Sequence, residues 1–341
     1  MSLDLAPYLQ AVEAELRDVL AQHDELTAPL YGMMRYHMGW ADAALQPVEA
    51  PRGKRLRPVF CLLACEAAGG DWRRAVPAAA DVELIHNFSL IHDDIEDNSA
   101  ERRHRATVWS LWGLAQGVNT GDTMWILSQL AMQRLLDLGH GAEAVLAVVR
   151  TLNQAVLELC TGQYLDLAFE SQSSVAVSQY ERMIRGKTGA LLAGAMRAGA
   201  ILAGAPDQVV GRYSSFGLEL GLAFQITDDI LGIWGDPGVT GKSAAGDILT
   251  RKKTLPVLHA LATEAQRGQA DLAQRYARPL TQADVPFVLT LLERAGAREA
   301  AEVRAREHLA HALVHLNATH GGLPASEMLR HLADSLADRT A

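Results

Sequence analysis

Residues 84–97 read LIHNFSLIHDDIED and carry the clearest structural signal in the chain. The first eight residues are mostly apolar, with the three- and four-residue spacing of a helix that buries one face. The last five hold four carboxylates, on Asp93, Asp94, Glu96 and Asp97. The stretch therefore predicts the C-terminal end of a long, largely buried helix that finishes in a cluster of acids.

The same helical spacing of apolar residues runs through most of the 341-residue chain. Strand-like alternation of apolar and polar residues is hard to find, and no linker rich in Pro, Gly or Ser divides the sequence. We therefore expect an all-α fold and a single domain over residues 1–341. The predicted helices cover residues 5–22, 26–42, 58–69, 75–97, 107–116, 121–137, 142–170, 177–203, 208–234, 254–263, 282–295, 298–316 and 325–337.

Composition and charge narrow the functional classes. The net charge of -9 disfavours a general nucleic-acid binder, which needs a basic face to neutralise phosphates. Three cysteines without a paired C-x-x-C motif disfavour a disulfide framework and indicate a reducing cytoplasm. The N-terminus lacks the pattern of a secretory signal. The most apolar stretch, residues 189–205, is interrupted by Arg197 and is short for a bilayer, so we expect a buried helix and no membrane span.

The carboxylates of residues 93–97 destabilise the predicted helix, because they repel one another at its C-terminal end. Asp93 and Asp97 are four residues apart on one helical face, where like charges destabilise a helix by about 0.2–0.5 kcal/mol. Acids at a helix C-terminus also oppose the helix dipole. A solvated acidic helix end is one interpretation. A bound magnesium ion is the other, because Mg²⁺ takes oxygen ligands and commonly bridges carboxylates to substrate phosphates.

A second acidic motif favours the metal interpretation. Phe224 and Gln225 precede the paired Asp228 and Asp229 at the end of another apolar helical run. Two such motifs facing one cavity would hold a diphosphate through several metal ions.

Basic residues are clustered at separate places in this acidic chain, and small anionic ligands suit such clusters better than a duplex does. Residues 53–58 precede a probable helix start, and a helix N-terminus with a cationic approach is a ready anion site. Each cluster alone is compatible with ordinary surface, but their joint appearance favours phosphate binding. The candidates are Lys54, Arg55, Arg57, Arg102, Arg103, Lys187, Lys242 and Lys252.

Together these motifs resemble the trans-isoprenyl diphosphate synthase, or polyprenyl synthetase, family from about residue 25 to 320. Residues 53–58 are similar to its early isopentenyl diphosphate motif, and residues 93–97 to its first aspartate-rich motif. The pairs Arg102-Arg103 and Lys187-Thr188, the segment 224–229, and Gly241-Lys242 with Asp247 and residues 252–254 are similar to its remaining motifs. The resemblance implies the isoprenoid synthase type I fold, a bundle of antiparallel helices around a central substrate cavity.

The resemblance also implies roles for individual residues. Asp93, Asp97 and Asp228 would bind Mg²⁺, with Asp94 and Asp229 supporting them. The dipoles of Thr188 and Gln225 would stabilise a carbocation. The allylic diphosphate would bind Arg102, Lys187, Lys242 and Lys252, and isopentenyl diphosphate would bind Lys54, Arg57, His86 and Arg103. A homodimer is expected on the same basis.

Two features bear on the details. The second motif usually has a third aspartate where this chain has Gly232, which puts its metal shell in doubt. Product length is expected to depend on side chains about one turn before Asp93, here Ser89 and the bulkier Phe88. In the family that the chain resembles, an aromatic at the latter position accompanies short products, and bacterial fifteen-carbon synthases commonly have a two-residue insertion in the first motif that this chain lacks. The resemblance therefore implies geranylgeranyl diphosphate as the product over farnesyl diphosphate.

Two other functions remain open from the sequence. A type I terpene cyclase would need the metal motifs but not a second diphosphate site, so the basic residues assigned to isopentenyl diphosphate count against it. A non-catalytic partner subunit is expected to have lost an aspartate-rich motif, whereas this chain retains both.

Overall fold

The structure is a computed structural model, and it describes residues 4–21, 24–51, 53–172, 174–235, 245–319 and 323–337. The fold is mostly helical, at 76%, which confirms the predicted all-α class. The α-helices are Ala6–Val19, Ala28–His37, Leu56–Ala67, Val76–Glu96, Val108–Trp112, Leu114–Asp137, Ala142–Glu170, Val177–Ile184, Ala190–Leu202, Asp207–Trp234, Gly246–Leu249, Leu255–Gln266, Asp271–Tyr276, Val285–Arg294, Ala297–Asn317 and Pro324–Ala337. Short 3₁₀ turns lie at Trp72–Ala75 and Gln282–Asp284, and a π-helical turn at Arg185–Gly189.

The chain forms two compact units. The first comprises Met1–Asn153, Gly194–Gly211 and Gly322–Met328, and it contains the first aspartate motif, residues 93–97. The second comprises Gln154–Ala193, Arg212–Gly321 and Leu329–Ala341, and it contains the second aspartate motif, residues 228–232. The single domain expected from the sequence stays a prediction.

The core of the first unit is built around the helix Val76–Glu96. This helix packs along Leu114–Asp137 and also contacts Leu56–Ala67 and Ala6–Val19. Its residues 76–85 are all buried, residues 86–92 are buried or partly buried, and exposed side chains appear only in the last turn, within the acidic motif. Burial of this helix therefore fixes the position of the first aspartate motif, and the predicted placement of the motif at a helix C-terminus is confirmed.

The helix breaks differ from the prediction at two places. The chain turns at Gly113, whose φ of +87° only glycine adopts readily, so the helix predicted to begin at 121 already begins at Leu114. The continuous helix predicted over 177–203 is interrupted by the π-helical turn Arg185–Gly189. Two short helices, Gly246–Leu249 and Asp271–Tyr276, were not predicted.

A small hairpin was also missed by the periodicity. Strands Glu101–Arg102 and Arg105–Ala106 pair antiparallel, and the two turn residues Arg103 and His104 have φ of 54° and 61°. Positive φ at both central residues is the geometry of a two-residue hairpin turn. Strands of two residues are too short to show an alternation of apolar and polar residues, so the sequence pattern did not predict them.

The apolar stretch 189–205 forms the buried helix Ala190–Leu202, as predicted. Another helix, Ala142–Glu170, is long and apolar enough to span a membrane by length and composition, and 33% of its most apolar window is buried. The predicted absence of a membrane span stays a prediction.

Close packing of the helix Ala190–Leu202 on Leu56–Ala67 generates a test of the fold. A Cβ atom on Gly199 would lie 2.1 Å from the carbonyl oxygen of Cys61, which is backbone and cannot move aside cheaply. We expect Gly199→Ala to lower the free energy of unfolding by about 1–3 kcal/mol, as overpacked cores do. Urea denaturation followed by circular dichroism measures the change.

Gly211→Ala is the matched control, because a Cβ on that helical glycine meets nothing within 4 Å. The higher helix propensity of alanine should leave this variant unchanged or stabilise it by about 1 kcal/mol. Equal effects at the two glycines would contradict the packing described for Gly199.

Candidate active site

An arginine from the hairpin binds the first aspartate motif. The Nε of Arg102 lies 2.7 Å from Oδ1 of Asp94, and its Nη2 lies 2.9 Å from Oδ2 of Asp93. One guanidinium thus donates to two adjacent carboxylates, which is the strong, charge-assisted geometry available to arginine. The hairpin that the sequence did not reveal is therefore the element that places Arg102 over the motif.

The two bridged aspartates differ in their surroundings. Asp94 is 2% exposed, and burial raises the pKa of its carboxyl to about 6 even though Arg102 acts to lower it. Asp93 is partly exposed, and Asp97, which caps the helix C-terminus, is exposed. Asp94 is thus suited to anchor Arg102. Asp93 and Asp97 offer hard oxygen donors on one helical face, a donor set that fits Mg²⁺.

The residues predicted to bind isopentenyl diphosphate meet within the first unit. The Nη1 of Arg57 lies 3.3 Å from Nε2 of His86, and the guanidinium of Arg103 lies so close to Gly53 that a Cβ there would be 2.9 Å from its Nη2. Lys54 follows Gly53 and is exposed. Burial, reinforced by Arg57 and Arg103, holds the pKa of His86 well below its usual range, so the ring is a neutral partner among cations.

One member of the basic cluster has a structural role. Arg55 begins the helix Leu56–Ala67 with a left-handed φ of 50°, is buried, and pairs with Glu13 and, at 3.9 Å, with Glu83. Its charge is therefore used inside the protein. The structure therefore distinguishes Arg55 from the predicted substrate-binding residues Lys54 and Arg57, a distinction that the sequence alone does not make.

A further residue near this cluster was missed. His37 lines a cavity together with Asp94, Arg102 and Arg103. Burial, with the three neighbouring arginines 102, 103 and 105, lowers the pKa of His37 to about 3. A single histidine at the end of a short helix does not belong to any motif, so the sequence did not predict that His37 lies beside these arginines.

The second aspartate motif is organised by a chain of hydrogen bonds that ends on Asp229. The hydroxyl of Thr188 donates to Oε1 of Gln225 at 2.6 Å, and Nε2 of Gln225 donates to Oδ1 of Asp229 at 3.0 Å. The hydroxyl of Tyr180 donates to Oδ2 of Asp229 at 2.6 Å. These bonds fix Gln225 and Thr188 relative to the motif, and Asp229 is the buried anchor of the set.

The charge state of Asp229 is balanced between opposing effects. Burial raises the pKa of its carboxyl to about 6, while Lys252 and the hydrogen bonds from Tyr180 and Gln225 lower it. The carboxylate is therefore the form that accepts these bonds. Asp228, its neighbour, is only partly buried and offers another oxygen donor set suited to Mg²⁺.

Lys187 is positioned by the π-helical turn Arg185–Gly189. A Cβ on Gly162 would lie 2.1 Å from the backbone nitrogen of Lys187, so the turn lies directly against the helix Ala142–Glu170. The Nζ of Lys187 lies 2.6 Å from Oδ2 of Asp166 on that helix. Lys187, Asp166 and Lys252 line one cavity with Gln225 and Asp229. Lys242, predicted to join them, lies outside the described residues.

Comparisons with known proteins agree with this geometry. Residues 39–292 match the family model described as polyprenyl synthetase. The chain belongs to the polyprenyl synthetase family.

Several relatives are similar to the chain over nearly their whole length. The chain is 40% identical to a (2E,6E)-farnesyl diphosphate synthase of Mycobacterium tuberculosis, with 93% of this chain and 88% of the relative covered. It is 39% identical to a geranylgeranyl diphosphate synthase of the same organism, with 93% of each covered. A geranylgeranyl pyrophosphate synthase of Corynebacterium glutamicum, solved with isoprenyl diphosphate and magnesium, superposes with a TM-score of 0.84 at 27% identity, over 99% and 100% of the two chains.

This polyprenyl synthetase is a prenyltransferase of a family that uses a divalent metal. Those predicted metal, substrate and dipole residues that the structure describes lie in two clusters, one in each unit, and the roles of all of them stay predictions. Tyr180 and Asp166 were missed, because each stands alone in the sequence and is recognisable only from the carboxylate or cation that it contacts.

The two residues expected to set product length differ in packing. Phe88 is 5% exposed, and its ring centroid lies 6.0 Å from that of Trp125 on the helix Leu114–Asp137. Ser89 is partly buried, and its hydroxyl donates to the carbonyl of His86 at 2.8 Å. Phe88 is therefore fixed between two helices of the polyprenyl synthetase.

The bond from Tyr180 generates a prediction about pH. Because this bond lowers the pKa of Asp229, Tyr180→Phe should raise it above about 6. Asp229 would then be protonated, and its bond from Gln225 weakened, at a higher pH. We expect the acidic limb of the turnover profile to move up by about one pH unit, since a hydrogen bond to a charged group is worth about 1.5–3 kcal/mol.

Tyr213→Phe removes the same atom from another buried tyrosine of this unit and serves as the control. Its profile should match that of the unmodified enzyme. An unchanged acidic limb in Tyr180→Phe would show that the ionisation of Asp229 does not limit turnover.

Proposed function

We propose that this polyprenyl synthetase is a short-chain synthase that condenses isopentenyl diphosphate with the allylic dimethylallyl, geranyl and farnesyl diphosphates to give geranylgeranyl diphosphate. The observation that carries the proposal is the pairing, in each unit, of an aspartate motif with cations suited to diphosphate. A terpene cyclase has no use for the cluster of Arg57, His86 and Arg103.

Asp93, Asp97 and Asp228 would hold Mg²⁺ in this proposal. When bound, the metal neutralises negative charge on the diphosphate group. The chain adds its own cations, Arg102, Lys187, Lys242 and Lys252, to bind the allylic diphosphate. Lys54, Arg57, His86 and Arg103 bind isopentenyl diphosphate.

The reaction needs charge stabilisation more than proton transfer by a side chain. The allylic carbon–oxygen bond breaks with its electron pair on the diphosphate, and the isopentenyl double bond supplies the pair for the new carbon–carbon bond. The departing diphosphate then accepts the proton that the product loses, so no side-chain base is required. Thr188 and Gln225 orient oxygen dipoles that stabilise the carbocation.

Farnesyl diphosphate is the second candidate product, because relatives of both kinds are similar to this chain. The farnesyl and geranylgeranyl diphosphate synthases of Mycobacterium tuberculosis are similar to this chain to almost the same degree, 40% and 39%. The packing of Phe88 between two helices supports a fixed position for its ring, which would block the growing isoprenoid tail and so form the floor of the product cavity. The number of isoprene units above that floor decides between the two products.

The function is tested by incubating the enzyme with Mg²⁺, isopentenyl diphosphate and each allylic primer, then separating the dephosphorylated products by chromatography. We expect a twenty-carbon alcohol, and loss of several orders of magnitude of turnover in Asp93→Ala or with the metal chelated. Hydrocarbon formed without isopentenyl diphosphate would instead indicate a cyclase. The absence of any product would indicate a non-catalytic subunit.

The same assay tests the floor. Phe88→Ala should lengthen the products, because removing the ring opens about one helical turn, comparable to one isoprene unit. Ser89→Ala is the matched control and should leave the product length unchanged. A fifteen-carbon product from the unmodified enzyme would overturn the length assignment, and an unaltered product from Phe88→Ala would place the floor elsewhere.

We also propose a homodimer, formed through the helix Ala142–Glu170. Leu157 and Tyr164, on the part of this helix that belongs to the second unit, are 59% and 69% exposed. Their separation of seven residues is about two helical turns, so the two side chains share one face. An apolar stripe of this length on a protein of a soluble family is suited to burial against a second copy.

Replacing Leu157 by Glu should therefore convert the dimer to a monomer in sedimentation velocity at micromolar concentration. Val303→Glu, which adds the same charge at a 42% exposed site on another helix, should remain dimeric. A monomeric unmodified protein at that concentration would contradict the proposal.

A further inference from the structure

A carboxylate and two imidazoles converge where two long helices of the second unit meet. Glu219 lies on the helix Asp207–Trp234, and His308 and His311 lie on the helix Ala297–Asn317. The Nδ1 of His308 lies 2.7 Å, and the Nδ1 of His311 lies 3.9 Å, from the same Oε2 of Glu219. One ligand atom from each of the three residues lies within 4.8 Å of the other two.

We propose that Glu219, His308 and His311 bind a transition-metal dication, with Zn²⁺ as the ion that fits best, and that water completes its coordination. Two imidazole nitrogens and one carboxylate oxygen are a ligand set that zinc takes in sites with an open fourth position. Imidazole suits zinc and its neighbours in the first transition row, whereas carboxylate and water suit Mg²⁺. The site is therefore distinct from the one proposed for Mg²⁺, and its role goes beyond prenyl transfer.

The separations of the ligand atoms fit a shared ion. The bond from His308 to Glu219 is a hydrogen bond at 2.7 Å, but the 3.9 Å that separates His311 from the same oxygen is too long for one. Ligands at about 2.0–2.1 Å from a tetrahedral zinc lie about 3.3 Å from one another, and the two observed distances bracket that value. His311 is exposed, so its ring can turn towards the ion.

Helix packing holds the two inner ligands in place. Leu222, three residues after Glu219, and Ala305, three residues before His308, belong to one buried core cluster. Residues three apart share a helical face, so the core residues and the ligands follow the same antiparallel register of the two helices. His308 is 6% exposed and Glu219 is partly buried. Side chains on rigid, packed helices give a metal site a defined geometry.

The charge and hydrogen bonds of the cluster are suited to exchange a proton for a metal ion. The hydrogen bond from His308 is the main cause that lowers the pKa of Glu219, and Arg185 and His311 lower it further, so the carboxylate is ionised at neutral pH. The Nε2 of His308 is buried and has no hydrogen-bond partner among the described residues. An ion that replaces the proton on Nδ1 of His308 therefore breaks one hydrogen bond of the ring and no other.

The site lies apart from the second aspartate motif but on the same helix. Glu219 is nine residues before Asp228, a distance of about 13.5 Å along the helix axis. A bound ion would therefore not touch a diphosphate held at the motif. It would tie the helix Ala297–Asn317 to the helix that carries the motif, and so stabilise the second unit by binding only its folded form.

Co²⁺ tests the site with a readout that does not involve turnover. It has the charge and similar ligand preferences to those of Zn²⁺, and its visible absorption is strong in tetrahedral sites and weak in octahedral oxygen sites. The chain is freed of metal with a chelator, dialysed, and titrated with Co²⁺ in excess Mg²⁺, which occupies the oxygen sites. We expect one equivalent of Co²⁺ to give a strong band, which Zn²⁺ then abolishes by displacement.

Two variants and a matched control locate the ion. His311→Ala removes an exposed ligand without opening the core, and Glu219→Gln keeps the shape of the side chain and removes its charge. Each should weaken Co²⁺ binding by at least about tenfold, the loss seen when even an outer partner of a metal ligand is changed. His315→Ala is the control and should bind normally, because His315 lies one turn beyond His311 with its Nδ1 3.4 Å from Nη1 of Arg212.

Thermal unfolding supplies a second measurement on the same proteins. Zn²⁺ in excess should raise the Tm of the unmodified protein and of His315→Ala by several degrees, and leave the Tm of His311→Ala unchanged. Circular dichroism without metal establishes that each variant is folded.

The lack of a strong Co²⁺ band in the unmodified protein would overturn the proposal. So would a band that Glu219→Gln keeps and His315→Ala loses, because the ion would then bind the surface pair of His311 and His315. No substrate takes part in these measurements, so their outcome is independent of whether the enzyme forms the expected prenyl product.

Discussion

Carboxylates that are packed together inside a helical protein need compensating charge or hydrogen bonds, and this constraint shapes both aspartate motifs. Asp94 and Asp229 are almost fully buried, and burial raises the pKa of each to about 6. Each stays anionic near neutral pH only through its partners. For Asp94 the partner is the guanidinium of Arg102, and for Asp229 the partners are Tyr180 and Gln225.

In both units the two adjacent aspartates of the motif differ in burial in the same way. In each motif the second aspartate of the pair is buried and bonded to a neighbouring element, whereas the first aspartate is only partly buried. Arg102 reaches its anchor from a hairpin, whereas Tyr180 reaches Asp229 from a separate helix. In the second motif, the carboxylate of Asp247 also lies against Gly232.

The sequence predicted most of the fold, because long amphipathic helices repeat their apolar residues often enough to be recognised. It also predicted both motifs, since acids and cations that are adjacent in the chain form visible clusters. The hairpin that positions Arg102 has strands too short to show an alternation of apolar and polar residues. The π-helical turn that positions Lys187 depends on packing against Gly162, which is distant in the sequence. Tyr180 and Asp166 are single residues whose partners are distant in the chain, so only the folded structure brings them to the site.

The central claim is that the accessible aspartates of the two motifs bind the divalent metal, while their buried neighbours serve as anchors. X-ray diffraction from crystals soaked with Mn²⁺ and inorganic diphosphate, measured at a wavelength where manganese scatters anomalously, tests this claim most directly. The account predicts anomalous peaks beside Asp93 and Asp97 and beside Asp228, with Asp94 still bound to Arg102 and Asp229 to Tyr180. Peaks at Asp94 or Asp229 after these bonds have broken, or diphosphate bound with no peak at either motif, would contradict it.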